Sequence, residues 1–137
     1  MATSTIKMRY RKDKQHDGPV TFKEFVQYII DPRTSQPLNE HWRPFHELCR
    51  PCSIHYDFIG HVETIAADSR YVLRRLGIRG KLPRERVVYK SYYHVREAFS
   101  QLTEDEISRL AKVYRLDFAL FGYSANISQY LRKRRVF

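Results

Sequence analysis

The sequence of 137 residues has only two cysteines and no run of 18 apolar residues. Two cysteines are too few for a disulfide scaffold. Without a long apolar run, we predict that no segment of this chain spans a membrane. Residues 1–18 also lack the apolar core of a secretory signal peptide. The chain contains no internal repeat and no low-complexity tract, so repeat architectures are excluded.

Acidic residues are scarce beside basic ones, with 15 Asp and Glu against 25 Lys and Arg and a formal net charge of +10. Such a balance favours a polyanionic partner, whether nucleic acid, anionic lipid or anionic polysaccharide, without choosing among them. Hydrophobic residues make up 42% of the chain, which is enough for a core and excludes a disordered tail. The length is that of one domain.

Two capping boxes mark the best-defined helices. Thr21 and Glu24 open a segment, TFKEFVQYIIDP, whose apolar residues recur with helical spacing. Thr103 and Glu106 form the second box, before a helix that Gly122 closes. Further helices are predicted over 63–77, with Gly77 as the C-terminal cap, and over 92–101, whereas Pro44 shortens or splits any helix that begins at Asn39.

Residues 53–59, SIHYDFI, place Ile54, Tyr56 and Phe58 on one face and predict a β-strand. A lone strand leaves its backbone groups unpaired. Either further strands escape the pattern, or residues absent from this chain build the sheet.

Both cysteines and four of the six histidines lie within residues 39–63. His41, His46, Cys49 and Cys52 are zinc ligands by type, but they crowd into twelve residues that two prolines stiffen. The C-x-x-C spacing suits a thiol redox pair, yet such a pair follows a strand and precedes a helix, and here that order is reversed. We therefore predict that Cys49 and Cys52 are structural and bind no metal.

The same stretch, NEHWRPFHELCRPCSIHYDFIGHVET, resembles the signature of the Golgi carbohydrate sulfotransferases of the chondroitin 4-O-sulfotransferase type. That signature runs N-E-H-W, then L-C-x-P-C, then an aromatic-Asp-hydrophobic-Gly strand and Glu-Thr. The segments VTFKEFVQYIIDP, DSRYVLRRLG and FSQLTEDEISRLAKVYRLDFALFGYS resemble the family's neighbouring helices. The resemblance covers roughly residues 6–124, apart from 78–97.

The resemblance implies an α/β, P-loop-like sulfotransferase fold, of which this chain is the mostly helical C-terminal part with one or few strands. It implies an enzyme that transfers a sulfo group from 3'-phosphoadenosine 5'-phosphosulfate to a sugar hydroxyl of a glycan such as chondroitin or dermatan. The full-length protein is then a type II membrane protein of the Golgi lumen with an N-terminal anchor. We expect a loose basic segment over 1–19, the sulfotransferase part over 20–124, and a basic tail over 125–137.

The family's two donor-binding segments have no counterpart in this sequence. One is a basic phosphate loop, and the five glycines here form no such loop. The other is an Arg-Asp/His-Pro-Phe segment, which does not occur. We therefore expect a C-terminal portion that binds no cofactor with its own residues and is inactive alone, and its catalytic base stays unassigned.

Acceptor contacts are predicted at two places. His41 and Trp42 suit a sugar cleft, since an indole offers a flat face to a sugar ring, although packing is the commoner role. Residues 70–90 carry eight basic side chains against Glu85 alone. From this stretch we predict contacts to an anionic glycan through Arg79, Arg84 and Arg86, with a solvated surface as the alternative.

Asn126 opens the tripeptide Asn126-Ile127-Ser128, a candidate N-glycosylation site. The alternative function is a basic helical module that binds a polyanion, nucleic acid or glycosaminoglycan, without catalysis. No helix-turn-helix, zinc finger or RNA-binding aromatic motif occurs. We therefore expect an anionic glycan as partner and no nucleic acid.

Overall fold

The computed structural model describes residues 2–13, 17–34, 38–80 and 90–126. Across these ranges the regular structure is entirely helical, so the expected mostly helical character is confirmed, and none of these residues forms a strand. The helices are α1 (Ala2–Tyr10), α2 (Phe22–Ile30), α3 (Phe45–Cys49), α4 (Ile65–Arg75), α5 (Lys90–Ser100), α6 (Glu104–Val113) and α7 (Arg115–Leu120), and a 3₁₀ turn at Val62–Thr64 precedes α4.

The chain divides into two compact units. Unit 1 comprises Met1–Arg50 and Lys90–Phe137, and unit 2 comprises Pro51–Tyr89. None of the helices in the described ranges is both long enough and apolar enough to cross a membrane.

Both predicted capping boxes are confirmed. The Thr21 hydroxyl accepts a hydrogen bond from the Glu24 amide (3.2 Å), and the Glu24 carboxylate accepts one from the Thr21 amide (2.8 Å). Thr103 and Glu106 repeat these bonds at the start of α6. The helix predicted to run on towards Gly122 is interrupted at Tyr114, where α6 ends and α7 begins.

The core of unit 1 forms where α2 packs against both α1 and α6. Helical spacing brings Val26 and Ile29 to the inner face of α2. With Ile6 of α1 and Leu38 they form the buried hydrophobic core of the described part.

The prediction that residues 1–19 are loose is wrong for α1. Ile6 is buried, and the Arg11 guanidinium, 6% exposed, pairs with Glu24 at 2.9 Å. The polar composition predicts a solvated segment. Instead, the buried ion pair between Arg11 and Glu24, 13 positions away, fixes this segment against α2. The division of the chain at residues 19 and 124 stays a prediction.

The strand predicted over 53–59 is also wrong for this chain. These residues form turns and irregular backbone, and Ile54, Tyr56 and Phe58 are between 41% and 48% exposed. A strand needs a neighbouring strand to pair its N–H and C=O groups. The described residues of unit 2 offer only α4 and the 3₁₀ turn.

The helix predicted over 63–77 is confirmed as the 3₁₀ turn and α4. Gly77 ends it as expected, with a φ of +67° that favours glycine. The Gly77 amide donates to the Arg74 carbonyl (3.1 Å) and the Ile78 amide to the Leu73 carbonyl (2.9 Å). The helix predicted over 92–101 is confirmed as α5.

Candidate functional site

Residues 39–43 form a turn that Asn39 caps. The Asn39 side-chain oxygen accepts from the His41 amide (3.0 Å), and its carbonyl accepts from the amides of Trp42 (3.1 Å) and Arg43 (2.9 Å). Pro44 follows as the N-cap of the next helix, α3, which ends after five residues at Arg50, where the backbone is left-handed (φ +47°). The sequence prediction of a short or split helix here is confirmed.

Helix α7 holds this segment in place. The Asp117 carboxylate accepts from the amides of Phe45 (2.7 Å) and His46 (2.9 Å), and so caps α3 from outside its own sequence. The Tyr114 hydroxyl donates to the Trp42 carbonyl at 2.6 Å. Burial, with a smaller contribution from the charge of Asp117, raises the pKa of Tyr114 to about 12, so the phenol keeps the proton that it donates.

His46 and Asp117 form an imidazole–carboxylate pair, with 2.8 Å between His46 Nδ1 and Asp117 Oδ1. An ionised carboxylate only accepts hydrogen bonds, so His46 Nδ1 is the donor in this pair. The sequence identified His46 only as a rejected zinc ligand, because no local signal points to a partner 71 residues away.

His41 and Trp42 share one turn but occupy different surroundings. The His41 side chain is 78% exposed. The indole of Trp42 packs edge-on against Phe25 and Tyr28, with ring centroids 5.3 and 6.4 Å away. This position favours the packing role that the sequence left as the alternative for Trp42, and acceptor contact by either residue stays a prediction.

Neither Cys49, half-buried at the end of α3, nor the exposed Cys52 forms a disulfide in the described part of the chain. Within those same ranges, no three His, Cys, Asp or Glu residues group together in a way that could hold a metal ion. A structural role for the two cysteines stays a prediction.

Unit 2 carries the described portion of the predicted glycan surface. Arg79 is exposed after α4, whereas Arg84 and Arg86 lie outside the described residues. Three further arginines are exposed on α4, and no described carboxylate forms an ion pair with any of these four side chains. The arginines of α4 are Arg70, Arg74 and Arg75.

Asn126 is exposed, as a glycosylated asparagine must be, but the other two residues of its sequon lie outside the described part. Glycosylation at this position stays a prediction.

A cavity of about 680 Å³ in unit 1 opens beside α1, α2 and α6. The sequence did not indicate it, because the lining residues come from separate elements. Its four cationic and three acidic side chains nearly balance, which gives it little attraction for a polyanion. The cations are Arg9, Lys12, Arg33 and Arg109, and the acids are Asp31, Asp105 and Glu106.

Comparison with known proteins finds a family model described as the sulfotransferase family, which matches residues 2–124. Carbohydrate sulfotransferase 11 of Rattus norvegicus is 42% identical over 118 residues, covering 82% of this chain and 33% of that protein. Carbohydrate sulfotransferase 14 of Danio rerio is 39% identical over 119 residues, covering 83% of this chain and 32% of that protein. The chain thus spans about a third of the length of these relatives. No solved structure matches it significantly.

Proposed function

Because this chain belongs to the sulfotransferase family, we propose that it is the C-terminal portion of a carbohydrate sulfotransferase. The enzyme transfers a sulfo group from 3'-phosphoadenosine 5'-phosphosulfate to a sugar hydroxyl. The observation that carries this proposal is the 42% identity to a carbohydrate sulfotransferase across 82% of the chain. The type of acceptor, the donor and the location of the enzyme are parts of the same proposal.

The proposed acceptor is an anionic glycan such as chondroitin or dermatan. The exposed arginines of α4 support it, because their guanidinium groups can bind carboxylates or sulfates through paired hydrogen bonds. Arg70 and Arg74 stand four residues apart on one helix, where like charges repel. A polyanion bound across them would relieve that repulsion. Arg79, Arg84 and Arg86 stay part of the proposed acceptor contacts, and of these three the structure describes only Arg79.

The donor site, we propose, is supplied by residues that the relatives carry beyond the matched third. A phosphosulfate donor needs backbone N–H groups at a helix N-terminus, together with Lys or Arg aimed at the phosphates. In the described residues, the two glycines with positive φ, Gly77 and Gly122, both follow helices rather than open them. We further propose the Golgi lumen as location, with an N-terminal membrane anchor on the full-length protein.

On unit 1 we propose His41 as an acceptor contact. Its imidazole is exposed on a turn that Asn39 caps and the Tyr114 hydroxyl fastens. Trp42, in the same turn, anchors it by packing against Phe25 and Tyr28. Sulfuryl transfer requires a base for the sugar hydroxyl, and which residue provides it is left open.

A chimeric enzyme tests the activity. Residues 2–124 replace the matched part of the rat carbohydrate sulfotransferase 11, and transfer of radiolabelled sulfo groups to chondroitin is measured. We expect transfer by the chimera and none by the rat enzyme that lacks the matched part. The rat enzyme with its own segment restored is the positive control.

A chimera that binds 3'-phosphoadenosine 5'-phosphate and transfers nothing would contradict the proposal. Binding of chondroitin or nucleic acid by the 137-residue chain would then favour the non-catalytic polyanion-binding module.

A further inference from the structure

Two aromatic rings of unit 2 lie against each other at its surface. The ring centroids of Phe58 and Tyr71 are 5.3 Å apart and their planes differ by 32°, a tilted arrangement. Phe58 is 41% exposed and Tyr71 is 42% exposed, so the pair keeps a large apolar face towards solvent.

A cation adjoins this aromatic face. Arg75 lies one helical turn beyond Tyr71 on α4, and its Nη1 donates to the Tyr71 hydroxyl at 3.2 Å. That bond holds the guanidinium beside the ring. Among the described residues no carboxylate pairs with Arg75, and its guanidinium has further N–H groups that can donate to an anion.

The loop that carries Phe58 is fastened to α4 before any ligand binds. The Asp68 carboxylate accepts from the His61 amide (3.0 Å) and from the Thr64 hydroxyl (2.5 Å). These two bonds, the Thr64 bond first, lower the pKa of Asp68, so it stays ionised at neutral pH. A Cβ on Gly60 would lie 3.2 Å from both the Asp68 carboxylate and the Phe58 ring, so an alanine here would push these side chains aside by a few tenths of an ångström.

We propose that Phe58, Tyr71 and Arg75 form a subsite for one acidic sugar residue of a glycan chain. The C–H face of the sugar ring stacks on the exposed aromatic face, while the sugar carboxylate accepts paired hydrogen bonds from Arg75. The pair is ordered in advance, so little ordering entropy is lost on binding. The inference rests on the proposed function and deepens it by placing one sugar unit at named residues.

Nucleic acid fits this surface less well. Single-stranded nucleic acid stacks successive bases on successive aromatic rings along a basic groove. Here the described residues of unit 2 show one pair of rings in tilted contact rather than a row of successive rings, which suits a single ring-shaped ligand.

Binding of unsulfated chondroitin hexasaccharide to the 137-residue chain tests the subsite by calorimetry and NMR. We expect the ring protons of Phe58 and Tyr71 to shift on titration. Tyr71→Ala and Arg75→Ala should each weaken binding about tenfold, which corresponds to about 1.4 kcal/mol. Tyr71→Phe keeps the ring and should lose less.

Arg70→Ala is the matched control, because it removes the same charge from the same exposed helix. Arg70→Ala should weaken chondroitin binding less than Tyr71→Ala or Arg75→Ala does. That loss of affinity should disappear in high salt, since exposed charges are screened within about 10 Å at 0.1 M. The loss in Tyr71→Ala should persist there, because stacking carries no net charge. Gly60→Ala should also weaken binding by displacing Phe58, whereas Gly80→Ala, with nothing within 4 Å of its added Cβ, should not.

The outcomes separate this inference from the function on which it rests. Binding that weakens equally in Arg70→Ala and Arg75→Ala, with no effect of Tyr71→Ala and no ring shifts, overturns the subsite and leaves a diffuse glycan surface. Binding of single-stranded DNA but not of chondroitin overturns both the subsite and the proposed acceptor. If the chimera is active and Tyr71→Ala leaves its KM for the acceptor unchanged, the subsite alone is overturned.

Discussion

At the scale of single residues, the carboxylate of Glu24 serves two structures at once. It completes the capping box of α2 by accepting from the Thr21 amide (2.8 Å). It also accepts paired hydrogen bonds from the buried Arg11, at 2.9 and 3.1 Å. Arg11 in turn donates to the carbonyls of Gly18 (2.8 Å) and Pro19 (2.7 Å), which ties the chain leading into α2 to the end of α1. A charge this well buried is tolerated because all of its partners are in place.

The stability of unit 1 should depend on pH through Glu24. Arg11, with help from Thr21, lowers the pKa of Glu24 from 4.5 to about 2. The unfolded chain therefore binds this proton first, and the stabilisation is complete above about pH 5 and is lost as the pH falls towards 2. We expect the wild-type free energy of unfolding to fall more steeply between about pH 5 and 3 than that of Glu24→Gln.

Urea unfolding followed by fluorescence measures this, because Trp42 is the single tryptophan and lies in unit 1. Glu40→Gln, on the exposed turn, is the control and should follow the wild type. If the free energy of unfolding depends on pH in the same way for the wild type and Glu24→Gln, the ion pair with Arg11 does not lower the pKa of Glu24.

At the scale of elements, α3 depends on α7. A helix of five residues is too short to be stable alone. Its N-cap residue is Pro44, which provides no side-chain cap, and the first amides bond to Asp117 instead. Phe45 also meets Phe121 edge-on, with ring centroids 6.5 Å apart. The order of α3 is therefore a tertiary property.

Asp117→Ala should destabilise unit 1 by about 2–3 kcal/mol, because it leaves the amides of Phe45 and His46 without their acceptor. The same urea unfolding measures the change. Asp105→Ala is the control, since that carboxylate is 75% exposed and lies 3.7 Å from Arg109. Its effect should stay within about 0.5 kcal/mol. Equal effects of the two substitutions would refute the dependence of α3 on α7.

At the scale of the whole molecule, the two units differ in how much apolar surface they bury. Unit 1 contains the buried Ile6, Val26, Ile29 and Leu38. In unit 2, by contrast, no described residue reaches full burial. Since stability follows apolar burial, opening of local structure should cost less free energy in unit 2.

Amide hydrogen exchange by NMR tests that difference within one sample. We expect the amides of Val26 and Ile29 in α2 to exchange about a hundredfold more slowly than those of Val72 and Leu73 in α4, which corresponds to about 2.7 kcal/mol. The two helices share one chain and one solution, so each controls for the other. Equal protection of the two helices would contradict the prediction. It would mean that α4 is less exposed in solution than it is in this structure.

The sequence alone determined the local features of this protein. The capping boxes at Thr21 and Thr103, the short α3 after Pro44 and the helix end at Gly77 were all predicted and are all present. Each depends on residues within about four positions of one another, so the linear order contains the whole interaction. The family was recognisable for the same reason, since the motif from Asn39 onward is a linear pattern.

Tertiary structure decided what depends on distant residues. The polar composition around Arg11 predicts a solvated segment, whereas in the fold Arg11 is buried and pairs with Glu24. The His46–Asp117 pair joins positions 71 residues apart, and no periodicity connects them. The alternation over 53–59 describes which side chains share a face, but a strand exists only where a second backbone pairs with it. The sequence contains the order of apolar and polar side chains directly. Which groups pair with a buried charge, or with an unpaired backbone N–H or C=O, is determined only by the tertiary fold.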